Sequence, residues 1–162
     1  MKRRPHKHIM PSLELKIHPP VVALGFAAVM WLLAISLPLF TFFPPWRLHL
    51  GGGIALLGGL FALAGAIAFR KLRTTVNPLK PAQSSAVVTA GVYKITRNPM
   101  YVGLVLVLLG WAIYLGAPLT LLGPIGFAMY VQRFQIIPEE RVLLAKFGDQ
   151  YSAYMAKVRR WL

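Results

Sequence analysis

Gly91-Val-Tyr-Lys-Ile-Thr-Arg-Asn-Pro-Met-Tyr-Val-Gly103 is the polar hinge of a very apolar chain. A basic linker without periodicity precedes it. An apolar run from Tyr101 to Ile137 follows, interrupted only near Gly116 to Pro118. Proline is excluded from a helix interior but suits the first helical position, so a helix is expected to begin at Pro99 with Asn98 as its cap. The free backbone N–H groups and positive dipole end of that helix then face the linker, where an anion can bind. Arg97 adds a full charge, and Tyr93 and Tyr101 add hydroxyls and ring faces. The plainer alternative is a capped membrane helix with one arginine at the lipid headgroups.

Two membrane spans are expected before the hinge. Val21 to Phe43 carries no charge over 23 residues, and at ~1.5 Å per residue it crosses a hydrocarbon core of ~30 Å with some tilt. Pro44 and Pro45 end it, and Trp46 suits the interface. Leu48 to Phe69 is the second span, with small residues at four-residue steps, Gly51, Ala55, Gly59 and Gly58, Ala62, Ala66, as close helix contact in lipid requires. Arg70 to Asn98 is polar, broken by Pro78 and Pro81, and loop-like at Gln83, Ser84 and Ser85.

Two more spans are expected after the hinge, Tyr101 to about Leu115 and Leu119 to Ile137. The uncharged turn at Gly116, Ala117 and Pro118 makes them an antiparallel helical hairpin. From Glu139 to Leu162 the chain is charged and amphipathic. Val142, Leu143, Phe147, Tyr151, Tyr154 and Val158 fall at near-helical spacing, with Gly148 as an interruption. Such a segment lies on the membrane surface or folds over the mouth of a bundle.

The expected fold is therefore all-α. It is a polytopic membrane bundle of four transmembrane helices, the last two a hairpin, with a cytoplasmic C-terminal amphipathic helix. It forms one domain over residues 1–162, with a basic tail at 1–20, two spans within 21–70 and a ligand-binding region at 85–162.

Lys and Arg number 18 against 4 Asp and Glu, a net charge of +14. The cations flank apolar spans instead of forming one soluble face, which points to anionic lipid headgroups and away from nucleic acid. Five lie before the first span, six from Arg70 to Arg97 and six from Arg133 to Arg160, while Arg47 alone falls on the other side. That asymmetry puts both termini, the hinge and the C-terminal segment at the cytoplasmic face of a multi-pass protein. The chain has no cysteine, hence no disulfide framework and no thiol nucleophile. His6 and His8 sit in a basic tail and are not read as metal ligands, and no metal site is expected.

With acids so scarce, the adjacent Glu139 and Glu140, just after Pro138, are informative. As first-turn acids they suit a helix start. As ligand-binding groups they accept hydrogen bonds from hydroxyl or amine donors. A ligand with a carboxylate at one end and hydroxyls or a cation elsewhere satisfies both the hinge and this pair. S-adenosylmethionine is such a ligand, and a nicotinamide dinucleotide is a poorer one.

Val88-Thr-Ala-Gly91-Val-Tyr93, Arg97-Asn-Pro-Met-Tyr101-Val-Gly103, Glu139-Glu140 with Leu143, and Phe147-Gly148 with Tyr151 and Tyr154 together resemble the isoprenylcysteine carboxyl methyltransferase and phospholipid methyltransferase family. The resemblance covers about Ser85 to Arg160. It implies S-adenosylmethionine as cofactor, bound at the cytoplasmic mouth of a small helical bundle, and a lipid or lipidated methyl acceptor arriving from the bilayer. It further implies a cofactor site made of Ser85, Ala86, Val87 and Val88, Tyr93, Arg97, Asn98, Pro99, Met100 and Tyr101, and Glu139 with Glu140. Glu139 would hold the ribose or amino group.

The chain departs from the family pattern at two positions. Asn98 stands where the family usually has histidine, and it can donate a hydrogen bond but carry no charge. Gln135 stands where prenylcysteine enzymes carry an arginine for the acceptor carboxylate, with Arg133 two residues earlier. Gln135 and Arg133 are the candidate acceptor-binding residues, and a neutral glutamine favours a lipid amine over a carboxylate. No side chain stands out as a dedicated base. The competing readings are an NADPH-dependent membrane reductase of the steroid reductase type and a non-catalytic lipid-binding membrane protein. More arginines around the hinge would favour the former, and the paired acids argue against the latter.

Overall fold

The computed structural model describes residues 14–37, 44–71 and 79–162. The tail with His6 and His8, the expected end of the first span at Phe43, and Arg73 and Pro78 of the linker lie outside the described residues. Among the described residues every regular element is helical. The α-helices are α1 (Pro19–Ser36), α2 (Trp46–Lys71), α3 (Pro99–Leu115), α4 (Leu122–Val131), α5 (Ile137–Phe147) and α6 (Asp149–Lys157). Short 3₁₀ turns at Pro81–Gln83, Gly91–Lys94 and Pro118–Leu121 join them, and a π-helical turn at Gln132–Ile136 links α4 to α5.

Prolines and glycines set most of these boundaries. Pro19 and Pro99 occupy the first turns of α1 and α3, where the missing N–H costs nothing. Gly116 closes α3 at φ 67, the left-handed conformation that suits glycine. The α1 helix ends at Ser36, short of the expected Phe43, and α2 is longer at both ends than Leu48 to Phe69.

Helices α1 and α2 are long and apolar enough to cross a membrane, and α3 is a shorter apolar helix. Leu24, Trp31, Leu56, Leu57 and Leu63 all point outward and are exposed. Helices apolar on every side and exposed over most of that surface belong in hydrocarbon.

Packing between α2 and α3 depends on glycine. A methyl group added to Gly58 would stand 2.6 Å from the Gly103 carbonyl oxygen, and one on Gly103 would stand 2.5 Å from the Gly58 oxygen. Of the small residues read at four-residue steps, Gly51 with Ala55 and Gly58 with Ala62 do meet α3, at Gly110 and Gly103, and Gly65 extends the contact at a seven-residue step. Gly59 faces open space. The main apolar core lies between α1, α3 and α4, with Met30, Leu108, Ala112, Phe127, Val131 and Ile136 buried.

Pro138 was expected to end the fourth span, but the helical path continues through it. Having no N–H, Pro138 cannot satisfy the Phe134 carbonyl one turn back, and its ring crowds that turn. The chain widens to a π turn, in which the Ile137 N–H donates to the Gln132 carbonyl. The Phe134 carbonyl instead accepts the Leu15 N–H at 3.1 Å. Beside it Glu14 pairs with Arg133 at 3.0 Å and Arg141 at 3.7 Å, tying the segment before α1 to the π turn and α5.

Candidate functional site

A cavity forms where the linker, the hinge, the end of α2 and the helices α5 and α6 converge. Its walls are Phe69, Ser84, Ala86, Val87, Val88, Tyr93, Arg97, Asn98, Ile136, Glu139, Glu140, Leu143, Tyr151 and Tyr154. Of the residues expected to hold a cofactor, Ala86, Val87, Val88, Tyr93, Arg97, Asn98, Glu139 and Glu140 are brought together here. Ser85 is exposed and outside the lining, and the buried Ser84 takes its place. Pro99, Met100 and Tyr101 lie on the first turn of α3 outside the lining, although Tyr101 reaches the site through Glu139.

The two adjacent carboxylates have different surroundings. Glu140 is buried between two guanidiniums. Arg97 Nη2 stands 2.9 Å from Oε1, and Arg160 makes a fork to both oxygens at 3.1 and 2.6 Å. Two cations on one anion leave this cluster net positive, and the hydrogen bonds that Arg160 donates to Glu140 raise the Arg160 pKa. Arg97 is itself buried, and its Nε has no hydrogen-bond partner among the described residues.

Glu139 pairs with a phenol, with Tyr101 Oη donating to Oε2 at 3.0 Å. Burial pushes the Glu139 carboxyl up to about 7, against the stabilising Tyr101 hydrogen bond and helped by the Glu140 charge. Tyr154, which donates from Oη to the Tyr93 carbonyl at 2.8 Å, is pushed up to about 12 by burial, with Arg97 pulling the other way. Burial likewise raises Tyr93 and Tyr151, so all three phenols stay neutral donors.

Asn98 occupies the N-cap position of α3, but its side chain makes no cap bond. The amide instead donates to the Arg160 carbonyl at 2.8 Å, and Thr96 Oγ1 donates to the same oxygen at 3.1 Å. Arg160 and Thr96 are therefore structural partners of the site that sequence reasoning missed. Nothing in the sequence separates Arg160 from the other seventeen cations. Gln135 and Arg133 diverge. Gln135 is buried, with its Nε2 unpartnered among the described residues, while Arg133 is half-exposed on Glu14. Neither lines the cavity. Among the described residues no group of acids and histidines could hold a metal ion.

The site's donor set fits S-adenosylmethionine in kind, although its size does not yet admit it. The unpartnered Arg97 Nε suits a carboxylate, Glu139 suits an ammonium or ribose hydroxyls, and Phe69, Val88 and Leu143 supply apolar walls. The free space is about 40 Å³, room for a few waters, whereas small-molecule sites typically offer about 300–1,000 Å³.

Comparison with known proteins points the same way. The sequence profile of the phospholipid methyltransferase family matches residues 46–150. Protein-S-isoprenylcysteine O-methyltransferase B of Arabidopsis thaliana is 31% identical over 116 residues, 70% of this chain and 57% of that protein. The match thus spans little more than half of that relative's length. An uncharacterized protein of Haemophilus influenzae is 51% identical over 63 residues, 39% of this chain and 100% of that protein. No solved structure matches the chain significantly. The profile covers well over half of the chain, from α2 through the hinge to both carboxylates, and the chain belongs to the phospholipid methyltransferase family of membrane-associated methyltransferases.

Proposed function

We infer that the protein is a four-span membrane methyltransferase that takes S-adenosylmethionine at its cytoplasmic mouth and methylates a lipid-borne acceptor. The observation that carries this reading is the split carboxylate pair in the cavity wall. Glu140 is consumed by Arg97 and Arg160, while Glu139, paired with the Tyr101 phenol among the described residues, remains available to a ligand cation or hydroxyl. The net positive end at Arg97, next to the start of α3, suits the ligand's carboxylate. Helices α1, α2, α3 and the α4 segment with its π turn are the spans, and the Lys and Arg distribution supports both termini inside.

When bound, S-adenosylmethionine supplies a methyl group already activated by its sulfonium. The residues then have to hold, orient and exclude water, and positioning with desolvation supplies most of the rate effect. Arg97 and Glu139 fix the two charged ends, and Tyr93, Tyr151 and Tyr154 surround the site with neutral phenols. On the membrane side, the buried Gln135 amide offers a hydrogen bond without charge, which favours an amine or neutral headgroup nucleophile over a carboxylate. Arg133, held by Glu14, is the next candidate for acceptor contact.

The test is to incubate purified protein with labelled S-adenosylmethionine and offer phosphatidylethanolamine and farnesylcysteine derivatives side by side. Methyl transfer to the amine lipid is expected. Transfer to the prenylcysteine alone overturns the acceptor assignment, and transfer to neither while the cofactor binds leaves the cofactor site standing with another acceptor.

A further inference from the structure

The cavity is narrow, and the C-terminal segment supplies one of its walls through Tyr151 and Tyr154. After α6 the chain turns extended at Val158 and lies along the hinge. The Arg97 N–H donates to the Arg159 carbonyl at 3.0 Å, Asn98 and Thr96 both donate to the Arg160 carbonyl, and the Arg160 guanidinium forks onto Glu140. The Trp161 indole N–H reaches the Gln132 side-chain oxygen at 2.8 Å, in the π turn that also carries Gln135.

We propose that Asp149–Leu162 is the gate of the cofactor site, hinged at Gly148 and latched by Arg160 onto Glu140. The proposal rests on the S-adenosylmethionine reading. A nucleoside does not fit in the present space, so one wall must move. The α2 and α3 walls are locked by backbone contact at Gly58 and Gly103, where there is no slack. The start of the linker is held by the Lys146 ammonium on the Ala82 carbonyl at 2.6 Å.

The α6 segment is held differently. Its hydrogen bonds to the site, from Tyr154 to the Tyr93 carbonyl and those of Arg159 and Arg160, can be exchanged for water or ligand. It joins α5 through Gly148, an exposed residue at φ 50 and ψ −124, where an added Cβ would meet nothing within 4 Å. That backbone region is open essentially to glycine alone, and the space around it leaves the joint free to turn.

Closure also engages the groups a ligand needs. While Arg160 is seated, it neutralises Glu140 and occupies the Asn98 amide. Swinging it out exposes Arg97, Glu140 and Asn98 together, at the moment the cavity widens. Arg160 is thus a positioning residue whose removal lowers the cost of opening, both for the free protein and for the complex.

The experiment is stopped-flow binding of S-adenosylmethionine and S-adenosylhomocysteine to full-length protein in nanodiscs, read by tryptophan fluorescence, for wild type, Arg160→Ala and Arg160→Lys. Amide hydrogen exchange is measured on the same samples without ligand. A charge-assisted fork, discounted for the partial exposure of Arg160, is worth about threefold to tenfold in the opening equilibrium. Association and dissociation should both accelerate by about that factor in Arg160→Ala, and by less in Arg160→Lys. The Arg97 amide and those of Asp149–Leu162 should exchange faster while the α2 and α3 cores stay protected. A rise in dissociation alone, or unchanged Arg97 exchange, shows a fixed wall and overturns the gate. If Arg160→Ala does not fold, Arg160→Lys and the wild-type exchange pattern decide. If wild type binds neither ligand, the cofactor reading fails, while exchange still reports whether the segment opens as a unit.

Discussion

Glu139 and Glu140 are neighbours in sequence with opposite duties. Glu140 is a structural anion between two guanidiniums, and Glu139 is a carboxyl pushed up to about 7 by burial. Replacing Glu139 by alanine should leave the fold intact and cost a charge-assisted hydrogen bond, ~1.5–3 kcal/mol or roughly tenfold to a hundredfold in S-adenosylmethionine affinity. Equilibrium titration of the two proteins checks this. A positively charged ligand group prefers the ionised form, so affinity should rise as pH increases through about 7 and then level. Calorimetry in buffers of different ionisation enthalpy should show proton release on binding near neutrality. Because the folded-state value lies above the ordinary 4.5, the free protein should lose stability as pH rises from about 4.5 to about 7. Glu139→Gln should flatten that slope. The pair itself was legible in the sequence because acids are so scarce, but its division of labour was not. That depends on Arg160, a terminal cation brought across twenty residues by the turn at Gly148.

At the scale of elements, prolines and glycines gave away the starts and stops at Pro99, Gly116 and Gly148. The four-residue small stripes picked out Gly51, Ala55, Gly58 and Ala62, which do meet α3, but carried on to Gly59, which faces away, because two antiparallel helices crossing at a shallow angle renew their contact at seven-residue steps, here at Gly65. Gly103→Ala should therefore destabilise the bundle by about 1–3 kcal/mol through overpacking, whereas Gly59→Ala should not. Thermal unfolding in one detergent separates the two. The passage through Pro138 was also illegible, since a proline reads as a terminator unless another group satisfies the carbonyl it orphans. Here the Leu15 amide, from the far end of the chain, supplies that bond. Pro138→Ala should restore regular helix, turn Glu139 away from Tyr101, and weaken cofactor binding without lowering stability. Paired binding and melting curves check that.

For the whole molecule, the apolar helices were written in composition, and among the described residues the expected all-helical architecture is found, with α1 and α2 long and apolar enough to cross a membrane. Hydropathy alone is not enough to count spans, because α3 and α4 are short and the latter is interrupted by its π turn. With both termini inside, a cysteine placed at Gly116 and one placed near Leu162 should be labelled from opposite sides of a sealed membrane. The chain has no cysteine of its own to confuse that result.

The most direct measurement is the titration of purified, folded, full-length protein with S-adenosylmethionine, S-adenosylhomocysteine and NADPH. A cofactor cavity at the hinge predicts saturable binding of S-adenosylmethionine, competition by S-adenosylhomocysteine, no effect of NADPH, and binding roughly tenfold to a hundredfold weaker in Glu139→Ala. Saturable binding of NADPH with none of S-adenosylmethionine, or S-adenosylmethionine binding that is untouched by Glu139→Ala, would contradict it.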